Sequence, residues 1–312
     1  MPGIGEEVKK IIAPLFLGIL LLAGCSPLPS SAPKPEIGTP LVLASTSFLA
    51  DIAQNVAGDR LVVDTLLPLG VDPHTFQPRP ADAAKVAAST VLILNGAEYE
   101  HFIESLLDNA GGERLVIEAS SGLTPRPSAE DLEHEAGDPH FWLDPNLVIT
   151  YVENIRDGLT TADPEGAEVY KANADAYIAQ LKELDSWIQS QVDTLSPEER
   201  LLVTNHEALG YFADRYGFAV IGAVVPSLSS EASPSAQEMA DLVDQIKTSS
   251  ATTIFLDASD NPSLAEQIAR EAGVKVITGL HLESLTAAGG PAPTYIDMMK
   301  FNTELIVTNI KE

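Results

Sequence analysis

The sequence predicts an α/β protein of two lobes, each with a parallel sheet flanked by helices, joined by one long connecting helix. Three observations lead to this fold class. Short apolar, β-branched runs alternate with helical patterns of about ten to fifteen residues, which is typical of βαβ units. Each half of the chain carries one such alternating series of strand and helix patterns. Between the halves lies a helical stretch without any strand signal.

The first half carries four short apolar runs separated by segments of helical periodicity. The predicted strands are 41–44, 61–66, 91–94 and 115–117. The predicted helices are 48–57, 80–88 and 101–109. This order of strands and helices favours a parallel sheet covered by helices.

The second half repeats the scheme. Its predicted strands are 201–204, 219–221, 253–256 and 274–277. Its predicted helices are 208–216, 235–248, 263–271 and 294–309. We therefore expect a second parallel sheet of the same kind.

The stretch between the halves predicts one long helix. Apolar residues recur at helical spacing up to about residue 195, and Asp163 and Pro164 suit an N-cap and a first helical position. Some thirty helical residues span roughly 45 Å. The apolar positions do not keep a strict heptad, which favours an intramolecular connector in a monomer over a coiled-coil dimer. A rigid helical link predicts a small hinge motion.

These patterns place the first lobe at 40–162, the connecting helix at 163–195 and the second lobe at 196–312. The segment before residue 40 is of a different kind. An apolar run at 11–23 follows two lysines and is about as long as the core of a signal peptide. It is too short for a confident membrane-spanning helix.

The apolar run ends in Leu-Ala-Gly-Cys, which resembles the bacterial lipobox. The resemblance implies a lipoprotein signal peptide at 1–24, lipid attachment to Cys25 and an extracytoplasmic protein anchored to the cell membrane. An uncleaved anchor, or a cleaved signal with an incidental cysteine, is the alternative. The lipidated cysteine and the following Pro- and Ser-rich segment, 25–39, predict a flexible tether.

Composition limits the partners, the disulfides and the metal ligands of the chain. The chain has 45 Asp and Glu against 18 Lys and Arg, a net charge of −27, which disfavours nucleic acid as a partner. Cys25 is the only cysteine, so the exported domain has no internal disulfide. For the same reason, any metal ion in the domain is held by His, Asp, Glu or backbone oxygen.

Three of the six histidines have similar surroundings. His74 lies in the segment that follows the predicted strand 61–66, and His206 follows the predicted strand 201–204. Ligands in open α/β sheets bind beyond the carboxyl ends of strands. His74 and His140 each complete an Asp-Pro-His tripeptide flanked by aromatic residues. Proline fixes its own φ and favours an extended conformation for the preceding Asp, whose carboxylate caps a turn or braces the imidazole. This repetition favours metal ligation.

Four segments resemble the zinc and manganese solute-binding lipoproteins of ABC transporters. They are 71–76 (VDPHTF), 138–145 (DPHFWLDP), 206–213 (HEALGYFA) and 291–299 (PAPTYIDMM). They occur in the order of that family and are spread across nearly the whole mature chain. The resemblance implies two lobes joined by one long helix. It also implies that an ABC permease and its ATPase receive the ion.

The family takes one ligand from each of four segments, which implies His74, His140 and His206 as the first three. The fourth is a carboxylate in a pattern like Asp-Ser-Leu. This chain has Glu-Ser-Leu at 283–285, so the resemblance carries the role over to Glu283. His281, two residues earlier, is a competing fourth ligand.

Three imidazoles and one carboxylate favour Zn²⁺ as the transported ion, since Mn²⁺ prefers more oxygen ligands. In the resembling family, manganese members usually have a carboxylate at the third position. Glu207 lies next to His206, and a register shift of one residue would place it there and favour Mn²⁺. The other two histidines considered, His101 and His134, are expected on the surface.

A zinc-dependent hydrolase is the alternative of a different class. Catalytic zinc needs an open coordination position and a general base. No His-Glu-x-x-His motif occurs in the sequence, and four protein ligands leave no vacancy for water. We therefore expect a transport protein and not an enzyme.

Overall fold

The computed structural model of the chain describes residues 40–127 and 137–311. Within these residues there are two four-stranded sheets, both entirely parallel. The fold class predicted from the sequence is thus confirmed. Cys25 and the predicted segments 1–24 and 25–39 lie outside the described residues.

The first sheet has the strand order β2-β1-β3-β4. Its strands are β1 (Val42–Ala44), β2 (Val63–Thr65), β3 (Val91–Leu94) and β4 (Leu115–Glu118). Its helices are α1 (Ser47–Ala57), α2 (Pro80–Ala88) and α3 (Ile103–Ala110). The predicted strand 61–66 is shorter than expected. Leu61 and Leu66, at the ends of the predicted strand, are buried but lie beyond the residues of β2 that pair with β1.

Two helices connect the sheets. The first is α4 (Pro145–Ala162) and the second is α5 (Ala167–Val192), which a 3₁₀ turn at Pro164–Gly166 precedes. The long helix is present but begins three residues later than Pro164. Asp163 makes no side-chain cap; its carboxylate instead accepts hydrogen bonds from Arg60 and Tyr170.

The sequence analysis missed α4. Its many β-branched residues and Gly158 have low intrinsic helix propensity. The helix begins with Asp144 as N-cap, whose side chain accepts from the backbone N–H of Asn146 (2.8 Å). Its buried face then packs on α5, α1 and β4. Tertiary packing therefore overrides the weak local preference.

The second sheet has the order β6-β5-β7-β8. Its strands are β5 (Leu201–Thr204), β6 (Ala219–Ala223), β7 (Thr253–Asp257) and β8 (Lys275–Leu280). Its helices are α6 (Gly210–Tyr216), α7 (Ala236–Ser249), α8 (Ser263–Ala272) and α9 (Tyr295–Lys311). Each of these elements was predicted, with ends that differ by at most three residues.

One hydrophobic core runs through both lobes. It extends from β1 and α1 through α4 and α5 to α6 and α9. The side chains of Trp142, Tyr151, Tyr170 and Tyr295 are fully buried within it. A core shared in this way stabilises one arrangement of the two lobes, which is compatible with the predicted small hinge motion. Among the described helices, none is both long and apolar enough to cross a membrane.

Candidate metal site

The four predicted ligands lie together between the lobes. His74, His140, His206 and Glu283 each offer a nitrogen or oxygen atom, and these atoms all lie within 4.8 Å of one another. The four residues are 9%, 0%, 2% and 2% exposed. Three loops after strands and one segment before α4 supply them, so the site forms where the carboxyl ends of both sheets meet.

His74 lies in the loop between β2 and α2. Its backbone N–H donates to Asp72 Oδ1 (2.8 Å), which closes a tight turn around Pro73. The other carboxylate oxygen of Asp72 accepts from the hydroxyl of Ser230 in the second lobe. Asp72 thus caps the turn and links the two lobes.

His140 follows the second Asp-Pro-His tripeptide, where the aspartate has a different role. Asp138 Oδ1 lies 2.8 Å from His140 Nδ1 and also accepts from the His140 backbone N–H (3.0 Å). The carboxylate therefore braces the ring and leaves Nε2 directed to the cluster. Burial acts to lower the pKa of His140, but the carboxylates of Asp138 and Glu283 outweigh it and raise this pKa to about 9.

His206 lies two residues after the end of β5 and precedes a 3₁₀ turn at Glu207–Leu209. Its carbonyl accepts from the hydroxyl of Thr204 (2.7 Å), which fixes the backbone at the end of the strand. Its ring centroid lies 5.4 Å from that of His140 and 5.5 Å from that of His74. Three imidazoles thus surround one small volume.

Glu283 follows β8 and supplies the only carboxylate of the cluster. Its Oε2 accepts from the hydroxyl of Tyr99. Its Oε1 lies 3.5 Å from His140 Nε2 and 3.3 Å from His206 Nε2. Burial opposes ionisation, but His140 and His206 hold the pKa of the Glu283 carboxyl well below its usual value. The carboxylate is therefore anionic at neutral pH.

Several nitrogen and oxygen atoms of the cluster that could ligate a metal are buried without a hydrogen-bond partner among the described residues. They are His140 Nε2, both ring nitrogens of His206 and Glu283 Oε1. Buried polar atoms are rarely left unsatisfied in folded proteins. A divalent cation in contact with these atoms would satisfy them, and the donor set of three imidazoles and one carboxylate suits a borderline ion such as Zn²⁺.

The competing ligands are not part of the cluster of four. The ring of His281 lies 5.6 Å from that of Phe301 on α9, and Asn302 holds its backbone at both N–H and C=O. Glu207 is half-buried, and its backbone N–H donates to Ser227 O (2.9 Å). His101 is exposed, and His134 lies outside the described residues.

Two aromatic residues that the sequence analysis did not select support the site. Tyr99 donates to Glu283, and the ring of His74 packs edge-on against it (5.4 Å between centroids). Trp142 Nε1 donates to Leu282 O (2.7 Å), next to Glu283. The hydrogen bonds of Tyr99 and Trp142 each join residues more than a hundred positions apart, so no local pattern in the sequence predicts them.

Comparison with known proteins identifies relatives of the chain. Residues 42–309 match the family described as ZnuA, zinc-uptake complex component A, periplasmic. The chain is 34% identical to the manganese-binding lipoprotein MntA of Halalkalibacterium halodurans, over 98% of this chain and 100% of that protein. It is 30% identical to the iron-binding protein YfeA of Yersinia pestis, over 85% and 84% of the two chains.

A solved structure shares the fold. The periplasmic zinc-binding protein TroA of Treponema pallidum superposes with a TM-score of 0.79 and 27% identity. The match covers 88% of this chain and 99% of that one. The three relatives named here are thus described as binding three different metals.

Proposed function

The chain belongs to the ZnuA family of metal-binding, solute-binding components of ABC transporters, and from this premise we propose that it captures one Zn²⁺ ion between its lobes. The ion is the transported substrate, which the protein delivers to a permease. Members of the family are transporter components and not enzymes, as expected from the sequence. The hydrolase alternative is left without support.

The convergence of four buried donor atoms within 4.8 Å carries the proposal. We assign His74, His140, His206 and Glu283 as the ligands. Two ligands come from the first half of the chain, and His206 and Glu283 come from the second. A bound ion therefore contacts both lobes, and its binding favours their closed arrangement.

The donor set supports Zn²⁺ as the preferred ion. Three neutral imidazoles and one carboxylate suit a borderline cation, and four protein ligands make a closed tetrahedral site. Mn²⁺ is the second candidate, because MntA, a relative with 34% identity over nearly the whole chain, is described as manganese-binding. In the manganese case we expect a further oxygen donor, for which Glu207 is the nearest carboxylate in sequence.

The location and partners follow from the same assignment. We propose that residues 1–24 are removed as a signal peptide, that Cys25 is lipidated and that 25–39 tether the domain to the outer face of the cell membrane. The lobes at 40–162 and 196–312, joined by the helical segment 163–195, then act as a monomer. The partners are the permease and the ATPase of an ABC transporter.

The decisive experiment is metal competition on the soluble form that begins after Cys25. A chelator first removes bound metal from the protein, which is then exposed to equal concentrations of Zn²⁺ and Mn²⁺. After desalting, elemental analysis measures the metal that the protein retains. One zinc per chain, lost in the His206→Ala variant, is the expected result. Manganese retained over zinc would favour the manganese alternative, and no metal retained under any condition would refute metal capture.

A further inference from the structure

Arg126 lies at a contact between the two lobes, close to the residues that hold His140. It belongs to the chain that follows β4 in the first lobe. Its Nε donates to Asp214 Oδ2 on α6 of the second lobe (2.7 Å), and its Nη1 donates to Asp138 Oδ2 (3.2 Å). One guanidinium therefore joins two carboxylates, and each belongs to a different lobe.

The backbone of Arg126 strengthens the same contact. Its C=O accepts from the Asp138 N–H (2.9 Å), and its N–H donates to the hydroxyl of Tyr211 (2.9 Å). That hydroxyl in turn donates to the Asp138 C=O (2.7 Å). The Tyr211 side chain thus closes a ring of hydrogen bonds that ties the start of α6 to both Arg126 and Asp138.

Gly210 provides the space that the guanidinium needs. A Cβ atom at this position would lie 1.6 Å from Arg126 Nη1 and 2.9 Å from Asp138 Oδ2. The backbone of Gly210 is right-handed helical (φ −59°, ψ −48°), so its conformation suits any residue. Close approach of Arg126 to α6, and not backbone geometry, accounts for a glycine here.

This contact connects two of the assigned ligands. Asp138 Oδ2 accepts a hydrogen bond from the Arg126 guanidinium, and Asp138 Oδ1 braces His140 Nδ1. On the other side, α6 begins four residues after His206, beyond a single 3₁₀ turn. The segments that carry His140 and His206 are therefore joined by the contacts of Arg126.

We propose that Arg126 is a positioning residue for the metal site: it orients Asp138 against His140 and holds the His140 and His206 segments at a fixed separation. This inference rests on the proposed function, because it treats His140 and His206 as ligands. Its consequence is kinetic. The joined segments keep two imidazoles together when the site opens, so Arg126 slows dissociation of the ion.

The distribution of exposure supports a role beyond a surface ion pair. Asp214 is 65% exposed, and ion pairs of such residues contribute little to stability. Asp138 is 2% exposed, so its Oδ2 has little access to water as a substitute partner. Without the guanidinium, the Asp138 carboxylate loses a charged donor and the orientation that keeps Oδ1 on His140.

The test is the rate at which the loaded protein gives up Zn²⁺ to an excess of chromogenic chelator. Arg126→Gln is expected to speed dissociation by about tenfold and Asp138→Asn by about 10- to 100-fold, the range for outer partners of metal ligands. If Arg126 acts through Asp138, the double variant matches Asp138→Asn alone. Fully multiplicative effects would refute the orientation of Asp138 by Arg126, and an unchanged rate in Arg126→Gln would overturn the whole proposal.

Arg215→Gln is the matched control. Arg215 lies on α6, the helix that Arg126 contacts through Asp214. It is about as exposed as Arg126 (41% against 36%) and makes a bidentate pair with Asp185 (2.9 and 2.6 Å). It does not contact Asp138 in the structure, so its loss should leave the dissociation rate unchanged. An equal acceleration in Arg215→Gln would assign the effect to general loosening of α6 and refute the specific role.

Gly210→Ala is the second variant, since it displaces the guanidinium without removing its charge. Alanine normally favours a helix over glycine, so a purely structural reading predicts a more stable protein with an unchanged rate. We expect faster dissociation of Zn²⁺, as in Arg126→Gln. A rate equal to that of the unmodified protein would count against the proposal.

A readout without metal separates this proposal from the proposed function. In ¹⁵N-edited spectra of the metal-free protein, the His140 ring signals should change in Arg126→Gln and stay in place in Arg215→Gln. If the unmodified protein binds no metal, the proposed function fails while this comparison still tests the link to His140. Unchanged His140 signals in Arg126→Gln would refute the positioning role.

Discussion

The hydroxyl of Tyr99 donates to Glu283 Oε2 across 184 residues of sequence. Burial and the neighbouring Glu283 carboxylate raise the pKa of Tyr99 well above its usual value, so the hydroxyl keeps its proton and remains a donor. One oxygen of Glu283 is thereby fixed, and Oε1 is left facing the imidazoles of His140 and His206. Tyr99 thus determines which carboxylate oxygen is available to an ion.

Tyr99→Phe should lower both the metal affinity of the protein and the stability of its metal-free form. The change leaves a buried carboxylate oxygen without its donor, which costs about 1–3 kcal/mol of unfolding free energy. Loss of an outer partner also lowers metal affinity by about 10- to 100-fold. Calorimetric titration and urea unfolding measure the two effects.

Tyr177→Phe is the control for this variant. The Tyr177 hydroxyl is equally buried but has no hydrogen-bond partner among the described residues. Its removal should leave metal affinity unchanged. Equal losses of affinity in both variants would contradict the role given to Tyr99.

His206→Ala and His74→Ala should each lower Zn²⁺ affinity by more than the roughly 10- to 100-fold expected for an outer partner. Each substitution removes a proposed ligand from a closed site and leaves three. His101→Ala, at an exposed histidine outside the cluster, is the control and should bind as the unmodified protein does. Similar affinities in all three variants would be incompatible with the ligand assignment.

The metal-free protein should lose stability as pH rises from about 6.5 to 9. The folded pKa of His140 is about 9 against an ordinary value of 6.5, so the folded state holds its proton more tightly. This stabilisation is fully present below pH 6.5 and is lost as pH rises toward 9, by up to about 3 kcal/mol. Urea unfolding at a series of pH values measures it, and His140→Gln should flatten the profile over this range.

Zn²⁺ binding at pH 7.5 should release about one proton from His140, because an imidazole must be neutral to ligate a metal. Affinity then rises about tenfold per pH unit below the raised pKa of His140. Calorimetry in buffers of different ionisation enthalpy counts the released proton. Binding with no proton release at this pH would mean that His140 is already neutral or is not a ligand.

Cys25→Ser should release the protein from the membrane fraction. The serine hydroxyl does not form the thioether that a lipobox cysteine carries, so the proposed anchor is lost. Detergent phase partitioning of cell fractions follows the change, and Ser26→Ala serves as the neighbouring control. A Cys25→Ser protein that still partitions into the detergent phase would indicate another anchor.

The sequence by itself determined the fold class, because hydrophobic periodicity is a local property that both strands and helices display. It placed all eight described strands and the long helix α5 within a few residues of their observed ends. It also selected His74, His140, His206 and Glu283 through local motifs, and the structure brings these four together. Their role as ligands stays a prediction.

Only the tertiary structure decided how the site is supported. The two Asp-Pro-His tripeptides look alike in sequence, yet Asp138 braces its imidazole while Asp72 contacts Ser230 of the other lobe. The partners Tyr99 and Arg126 likewise depend on how the two lobes pack, and the helix α4 depends on its packing against α1, α5 and β4. The contacts of Asp72 with Ser230, of Tyr99 with Glu283 and of Arg126 with Asp214 join residues far apart in the chain. Their free energy arises from burial between sheets and helices that no local pattern encodes.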